Sequence, residues 1–131
     1  MTTITKEINL NANSGDWVDL GIEGSTIPNN GSYIIQVYVN DGGTTGETLE
    51  HYDEYYTGTF SWYNGQTSWG GAENADEIVL HKAGLSSGGN NLFLRTVHTA
   101  AGYLKMQAAY YRTTGTIDTK SILTIKVRQL I

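Results

Sequence analysis

The segment SYIIQVYVN, at residues 32–40, has the clearest strand pattern in the sequence. Its odd-numbered positions are all apolar or aromatic, and Ile34 and Tyr38 make the other side largely apolar as well. The turn signals PNNG at 28–31 and DGG at 41–43 bound it. A strand that is apolar on both sides lies in the middle of a sheet or at a subunit contact. The segment therefore predicts a central β-strand.

Further strand-like segments lie on both sides of this one, and no stretch shows a helical period. The segments occupy residues 4–10, 17–22, 55–63, 77–83, 91–98, 103–112 and 120–131. Short strands at this spacing, without intervening helices, predict an all-β fold: an antiparallel β-sandwich, jelly-roll-like, with about eight strands. The two segments between 91 and 112 predict a hairpin. The sequence has no internal repeat and no composition break, so we expect a single β-sandwich domain over residues 1–131.

Charge and composition argue against several classes of partner. The chain has 13 acidic and 8 basic residues, a net charge of −5, and no basic cluster. Because a phosphate backbone needs a positive protein face, we expect no nucleic-acid partner. No stretch approaches the ~20 apolar residues of a membrane span, so we expect no membrane insertion. The first ten residues lack the apolar run of a signal peptide, and we expect synthesis in the cytoplasm of the producing cell.

The residues that could carry catalysis or bind a metal show no specific spacing. Glu47, Glu50, Asp53 and Glu54 surround His51, and two such carboxylates could hydrolyse a sugar or hold calcium. We interpret this group as a solvated loop, with calcium binding and glycoside hydrolysis as alternatives. The chain has no cysteine, no paired histidine spacing and no G-x-S-x-G sequence. The sequence therefore predicts no enzyme, no cofactor and no metal site.

Aromatic and acidic residues around segment 55–63 are the candidates for ligand binding. Sugars present flat C–H faces that stack on aromatic rings, while carboxylates accept hydrogen bonds from their hydroxyls. Two long loops, 41–54 and 64–76, flank the segment, and we expect them to meet at one end of the sandwich. Alternation means that only one of Trp62 and Tyr63 faces the core. The predicted carbohydrate-binding residues are Trp69, Trp62, Tyr63, Tyr55, Asp53 and Glu73.

Several stretches together resemble a known family. They are SGDWVDLG at 14–21, GSYIIQVYVND at 31–41, EIVLHKAG at 77–84, NLFLRTVHTAAGYLKMQ at 91–107 and ILTIKVRQLI at 122–131. These strand patterns resemble the distal C-terminal domains of bacteriophage tail fibres and tailspikes. The resemblance implies a homotrimeric β-sandwich tip, part of the virion, that recognises a bacterial surface glycan or helps the fibre trimerise. It supplies no ligand-binding residue that can be placed in this sequence.

The leading hypothesis is a receptor-binding tip domain of a phage tail fibre that recognises bacterial surface carbohydrate. A structural trimerisation or folding module of the fibre is the first alternative. A free-standing bacterial carbohydrate-binding lectin comes next, and a small glycosidase comes last. Because no attachment region, collagen-like stretch or β-helix is present, we expect the chain to be a fragment of a fibre or a separately translated C-terminal product.

Overall fold

The computed structural model describes residues 2–8, 16–41, 52–63, 74–83, 91–98, 104–111 and 121–131. These ranges contain nine β-strands and no helix. The strands are β1 (Thr2–Ile8), β2 (Val18–Glu23), β3 (Gly31–Asp41), β4 (Tyr52–Trp62), β5 (Asn74–Ile78), β6 (Leu80–Ala83), β7 (Asn91–His98), β8 (Leu104–Tyr111) and β9 (Ser121–Gln129). The predicted all-β class is confirmed.

The strands form two antiparallel sheets. One sheet has five strands in the order β1-β9-β3-β4-β6, and the other has four in the order β2-β8-β7-β5. The first two strands of the chain pair with the last two, β1 with β9 and β2 with β8, so the chain winds inward from its ends as in a jelly roll. Strands β7 and β8 form the predicted antiparallel pair. The predicted β-sandwich is confirmed.

Strand β3 lies in the middle of the five-stranded sheet, as its pattern predicted. It pairs with β4 along one side and with β9 along the other. Its odd-numbered side chains from Tyr33 to Val39 are buried, while Ile34 and Tyr38 on the opposite face are half-buried. This strand therefore contributes to the core with one face and to the outer surface of the sandwich with the other.

The core lies between the two sheets and is built by alternate residues of both. Ile35 and Ile125 of the five-stranded sheet and Leu94 and Met106 of the four-stranded sheet are fully or almost fully buried in one cluster. Each fully buried aliphatic side chain contributes roughly 1.5–3 kcal/mol to folding. The positions between them point outward and form the outer face of each sheet.

Residues 77–83, which we predicted to be one strand, belong to two strands in different sheets. Strand β5 pairs with β7 in the four-stranded sheet, and β6 pairs with β4 in the five-stranded sheet. The chain changes sheets at Val79, whose side chain is exposed. Gly58 permits this crossing, because a Cβ atom there would lie 2.6 Å from the Val79 carbonyl oxygen. The single strand was predicted because the sequence EIVLHKA contains no glycine or proline to mark the break.

Strand β4 begins at Tyr52, three residues before its predicted start at residue 55. The predicted loop 41–54 is therefore wrong over its last three residues. The two flanking loops also leave β4 at opposite ends, which lie roughly 33 Å apart at the rise of a β-strand. The expected meeting of the two loops at one end of the sandwich concerns residues 42–51 and 64–73, which lie outside the described residues.

Candidate functional site

Trp62, the last residue of β4, and Tyr63, which follows it, point to opposite faces of the sheet. The Trp62 side chain is 2% exposed, its Nε1 donates a hydrogen bond to the Ile27 carbonyl oxygen at 2.8 Å, and its ring meets Phe60 edge-on. Tyr63 is 54% exposed. One residue of the pair faces the core, as alternation predicted, and it is Trp62. Its inclusion in the binding site was wrong, because a ring buried in the core cannot meet a ligand.

The remaining predicted site residues do not form one group. Tyr55 and Tyr63 share the outer face of β4, but eight residues of strand separate them by roughly 26 Å. Asp53 lies on β4 opposite Asn40, near Tyr55 along the strand, and its side chain lies outside the described part of the structure. Trp69 and Glu73 also lie outside the described residues. Tyr55 is thus the predicted residue around which a site can be built.

Tyr55 packs against Tyr38 on the outer face of the five-stranded sheet. The two residues are directly opposite each other on β4 and β3, and their ring centroids lie 4.9 Å apart with a tilt of 32°. Cross-strand aromatic pairs at this distance stabilise a sheet and hold each other's rings in place. Tyr55 remains 53% exposed. The sequence showed Tyr38 on the second apolar side of β3, but not that Tyr55 would be its neighbour.

A hollow of about 310 Å³ lies beside this aromatic pair. Its polar lining comes from Gln36 of β3, Thr57 of β4, and Thr124 and Lys126 of β9. The register explains the set, because Gln36 lies opposite both Thr57 and Lys126, and Tyr38 lies opposite Thr124. Aromatic rings beside a few amide, hydroxyl and ammonium groups are typical of a small-ligand site. The arrangement can stack one face of a sugar ring and hydrogen-bond its hydroxyls.

A second hollow, of about 260 Å³, lies near the start of β3. It is lined by Thr26, Ile27, Pro28, Asn29, Tyr33, Val127 and Gln129, none of them charged. The Tyr33 hydroxyl is already used, because it donates a hydrogen bond to the Asn29 carbonyl oxygen at 2.5 Å. The hollow beside Tyr38 and Tyr55 differs from this one in offering an exposed aromatic ring and an ammonium group.

Glu54 lies in the interior of the sandwich and not in a solvated loop. Its side chain has no exposed surface. The Tyr56 hydroxyl donates to Glu54 Oε1 at 2.5 Å, the Tyr110 hydroxyl donates to Oε2, and Lys82 Nζ lies 3.2 Å from Oε1. Our prediction for this residue was wrong, because β4 starts early and turns Glu54 inward. A carboxylate so enclosed cannot reach a sugar, so its role is structural.

The Glu54 network connects the two sheets. The Tyr56 hydroxyl, which donates to Glu54 on β4, also accepts a hydrogen bond from the Leu92 amide of β7 at 3.1 Å. Tyr110 reaches the same carboxylate from β8. Burial raises the pKa of Tyr56, and the hydrogen bond to Glu54 raises it further, because both disfavour the phenolate. The neutral Tyr56 hydroxyl therefore stays a donor over the whole physiological pH range.

The outer face of the four-stranded sheet has a network of its own. The Arg95 guanidinium stacks on the Trp17 ring at 4.2 Å and donates to Gln107 Oε1 at 2.8 Å. Gln107 in turn donates to Asp19 Oδ1 at 2.7 Å, and Lys105 Nζ lies 3.4 Å from the same oxygen. The Gln107 hydrogen bond, with help from Lys105, lowers the pKa of Asp19. Arg95, Lys105 and Asp19 are therefore all engaged by neighbouring side chains of this sheet or by Trp17.

Comparison with protein families, with curated proteins and with solved structures finds no match to this chain. Within the described residues, no three histidine, aspartate or glutamate side chains are grouped so that they could hold a metal ion. The same residues include no helix with the length and apolarity needed to cross a membrane. The assignment of function therefore depends on the geometry of the site and on the resemblance stated above.

Proposed function

We propose that this domain binds bacterial surface carbohydrate as the receptor-binding tip of a phage tail fibre, without catalysing a reaction. The single observation that carries the proposal is the packed pair of half-buried Tyr38 and exposed Tyr55 beside a hollow that polar side chains help to line. A sugar ring stacks on the exposed Tyr55 ring, while Gln36, Thr57 and Thr124 exchange hydrogen bonds with its hydroxyls. The resemblance to distal fibre domains supplies the biological setting, a virion that attaches to its host.

The site suits a carbohydrate better than an apolar molecule. Its aromatic surface consists of two rings on an open sheet face, and Gln36, Thr57, Thr124 and Lys126 place polar groups beside a lining that is otherwise largely apolar. An apolar molecule would leave these amide and hydroxyl groups without their water partners, which costs free energy for each group. A sugar offers an apolar face to the rings and hydroxyls to the polar groups. A free-standing bacterial lectin would use the same site. The geometry therefore supports carbohydrate binding equally for a fibre tip and for a lectin.

The test compares two tyrosines with similar exposure on the same side of the sheet, Tyr55 within β4 and Tyr63 directly after its end. Tyr55→Ala removes half of the aromatic pair, and Tyr63→Ala removes an equally exposed ring from the same face roughly 26 Å away. Binding of short bacterial oligosaccharides, selected on a glycan array and measured by titration calorimetry, is expected to weaken about tenfold in Tyr55→Ala. It should stay within twofold of wild type in Tyr63→Ala. Equal losses in the two variants, or none in either, would refute the proposed site.

The alternative function, trimerisation of the fibre, is favoured by a separate observation. Three large apolar or aromatic side chains are exposed together at the far end of the five-stranded sheet: Tyr63, Leu130 and Ile131. The backbone brings them together, because Trp62 pairs with Gly31 and the amide of Leu130 donates to the Ser32 carbonyl oxygen. Grouped exposed apolar side chains are typical of a protein–protein contact.

We therefore propose a homotrimer that associates through this end and leaves the Tyr38–Tyr55 hollow accessible. Light scattering after size-exclusion chromatography tests it, with Leu130→Ser and Tyr63→Ala expected to reduce the trimer and Tyr55→Ala expected to leave it intact. A wild-type protein that is monomeric at micromolar concentration would contradict the trimer. Carbohydrate binding by that monomer would leave the binding function in place.

A further inference from the structure

The outer face of the five-stranded sheet differs in charge from the chain as a whole. The sequence has an excess of five acidic residues. Among the outward side chains that the structure describes on β3, β4, β6 and β9, however, none is a carboxylate. The ionisable groups with basic character on this face are Lys126 and Arg128 on β9 and His81 on β6. Lys126 and Arg128 are exposed on this face and are suited to an anionic ligand.

The two cations of β9 are not occupied by carboxylates of the described residues. Lys82 pairs with Glu54 in the interior, and Lys105 pairs with Asp19 on the other sheet. Lys126 and Arg128 are exposed, and within the described ranges neither makes an ion pair. Cations already paired gain little from a further anion, whereas these two keep their full charge for a ligand.

The cations also lie next to the aromatic pair. Lys126 lines the hollow beside Tyr38 and Tyr55, and it lines a second hollow of about 110 Å³ together with Gln36 and Arg128. The two hollows share Gln36 and Lys126, so they lie side by side across the sheet, and we refer to the pair as the track. In the register, the Tyr38, Lys126 and Arg128 rows follow one another at intervals of two residues, roughly 7 Å each.

We propose that this track binds an acidic polysaccharide, with a sugar ring on the Tyr38–Tyr55 pair and the anionic groups of the chain at Lys126 and Arg128. The inference rests on the proposed carbohydrate-binding function and names the class of glycan. The anionic group is a carboxylate of a uronic-type sugar or a phosphate on the sugar chain. Arg128 can pair with either through two parallel hydrogen bonds, and Lys126 contributes a point charge.

The first experiment identifies the class of glycan. The wild-type protein is applied to an array of bacterial capsular and O-antigen oligosaccharides that includes acidic and neutral structures. The strongest binders are expected to be acidic, and their binding should weaken as salt is raised from about 50 mM to about 500 mM. Each is then tested after reduction of its carboxyl groups to alcohols and, separately, after removal of its phosphate. The treatment that abolishes binding identifies the anionic group.

The second experiment assigns the charge to this face with a matched control. Lys126→Gln and Lys105→Gln change the net charge equally, but only Lys126 lies on the track. The former is expected to weaken binding of the best acidic oligosaccharide about tenfold, the scale of one lost charge-assisted hydrogen bond, and the latter less than twofold. Arg128→Gln should also weaken binding, and Lys126→Arg should retain most of it. Circular dichroism melting confirms that each variant is folded.

The outcomes separate this inference from the function on which it rests. Strong binding of neutral glycans that depends on Tyr55 but not on Lys126 would overturn the acidic assignment and leave carbohydrate binding intact. No binding of any glycan on the array would overturn both. Equally tight binding of a single-stranded DNA oligomer of matched charge, unaffected by Tyr55→Ala, would show non-specific charge attraction and also overturn the assignment.

Discussion

The two faces of β4 carry similar side chains and use them differently. On the inner face, Tyr56 and Trp62 are buried and hydrogen-bonded to the opposite sheet or to its connections. On the outer face, Tyr55 and Tyr63 have about half of their surface exposed. An aromatic side chain on the inner face is enclosed by the core, and removing it leaves a cavity. An aromatic side chain on the outer face contacts few neighbours, as Tyr55 does with Tyr38. Changes on the inner face should therefore reduce the free energy of unfolding, whereas changes on the outer face should leave it nearly unchanged and reduce binding only beside the hollow at Tyr55.

The largest contrast is expected between Trp62 and its exposed neighbour. Trp62→Ala removes a buried ring and the hydrogen bond to Ile27, and it should lower the free energy of unfolding by about 3–5 kcal/mol. Tyr63→Ala should lower it by less than about 0.5 kcal/mol. Urea denaturation measures both. If the alanine variant does not fold, Trp62→Phe keeps most of the ring and reports the lost hydrogen bond. Equal destabilisation at the two positions would contradict the contrast.

The next contrast is between Glu54 and the outward residue Thr57. Glu54→Gln keeps the size of the side chain but removes the charge that holds Tyr56, Tyr110 and Lys82 together, and it should cost about 3 kcal/mol. Thr57→Ala should cost less than about 0.5 kcal/mol. A double-mutant cycle with Lys82→Met isolates the ion pair, and a coupling energy near zero would show that the charge of Glu54 is not needed there.

A smaller and pH-dependent effect is expected at Tyr56. Because its pKa is raised above the ordinary value of 10.0, the folded state keeps a proton that the unfolded state loses in alkaline solution. The stabilisation is complete below pH 10 and declines as the pH rises further. Tyr56→Phe should cost about 1–2 kcal/mol at pH 7, and the difference in unfolding free energy from wild type should narrow as the pH rises above about 10. Tyr55→Phe is the outer-face control, and a constant gap for Tyr56→Phe would contradict the prediction.

The smallest effect is expected at Asp19, on the outer face of the other sheet. Its pKa is lowered from 3.8, mainly by the Gln107 hydrogen bond, so its contribution is present above that value and is lost as the pH falls through the lowered pKa. Because the group is exposed, Asp19→Asn should cost less than about 1 kcal/mol at pH 7 and nothing in strong acid. Chemical denaturation at both pH values tests this, and oligosaccharide binding should not change.

Some residues of the candidate site could be predicted from the sequence and others could not, for different physical reasons. Sequence reasoning correctly placed Tyr55 on a strand and opposed Trp62 to Tyr63, because alternation depends only on local geometry. It left Tyr38 out of the site, because its contact with Tyr55 depends on how β3 and β4 pair. It misplaced Glu54, since a carboxylate in a polar stretch ordinarily indicates solvent, and its partner Tyr110 lies 56 residues away along the chain.

The sequence alone was sufficient to predict the fold class, because apolar and polar residues alternate along each strand and successive side chains point to opposite faces. It was also sufficient to exclude a cysteine-based site, since the chain has no cysteine. The register of β3 with β4 and β9, and the change of sheets at Val79, required the folded structure. These depend on contacts between distant parts of the chain, and a shift of one residue would have turned Tyr38 or Tyr55 to the other face. The face that we propose for binding was therefore identified by strand pairing.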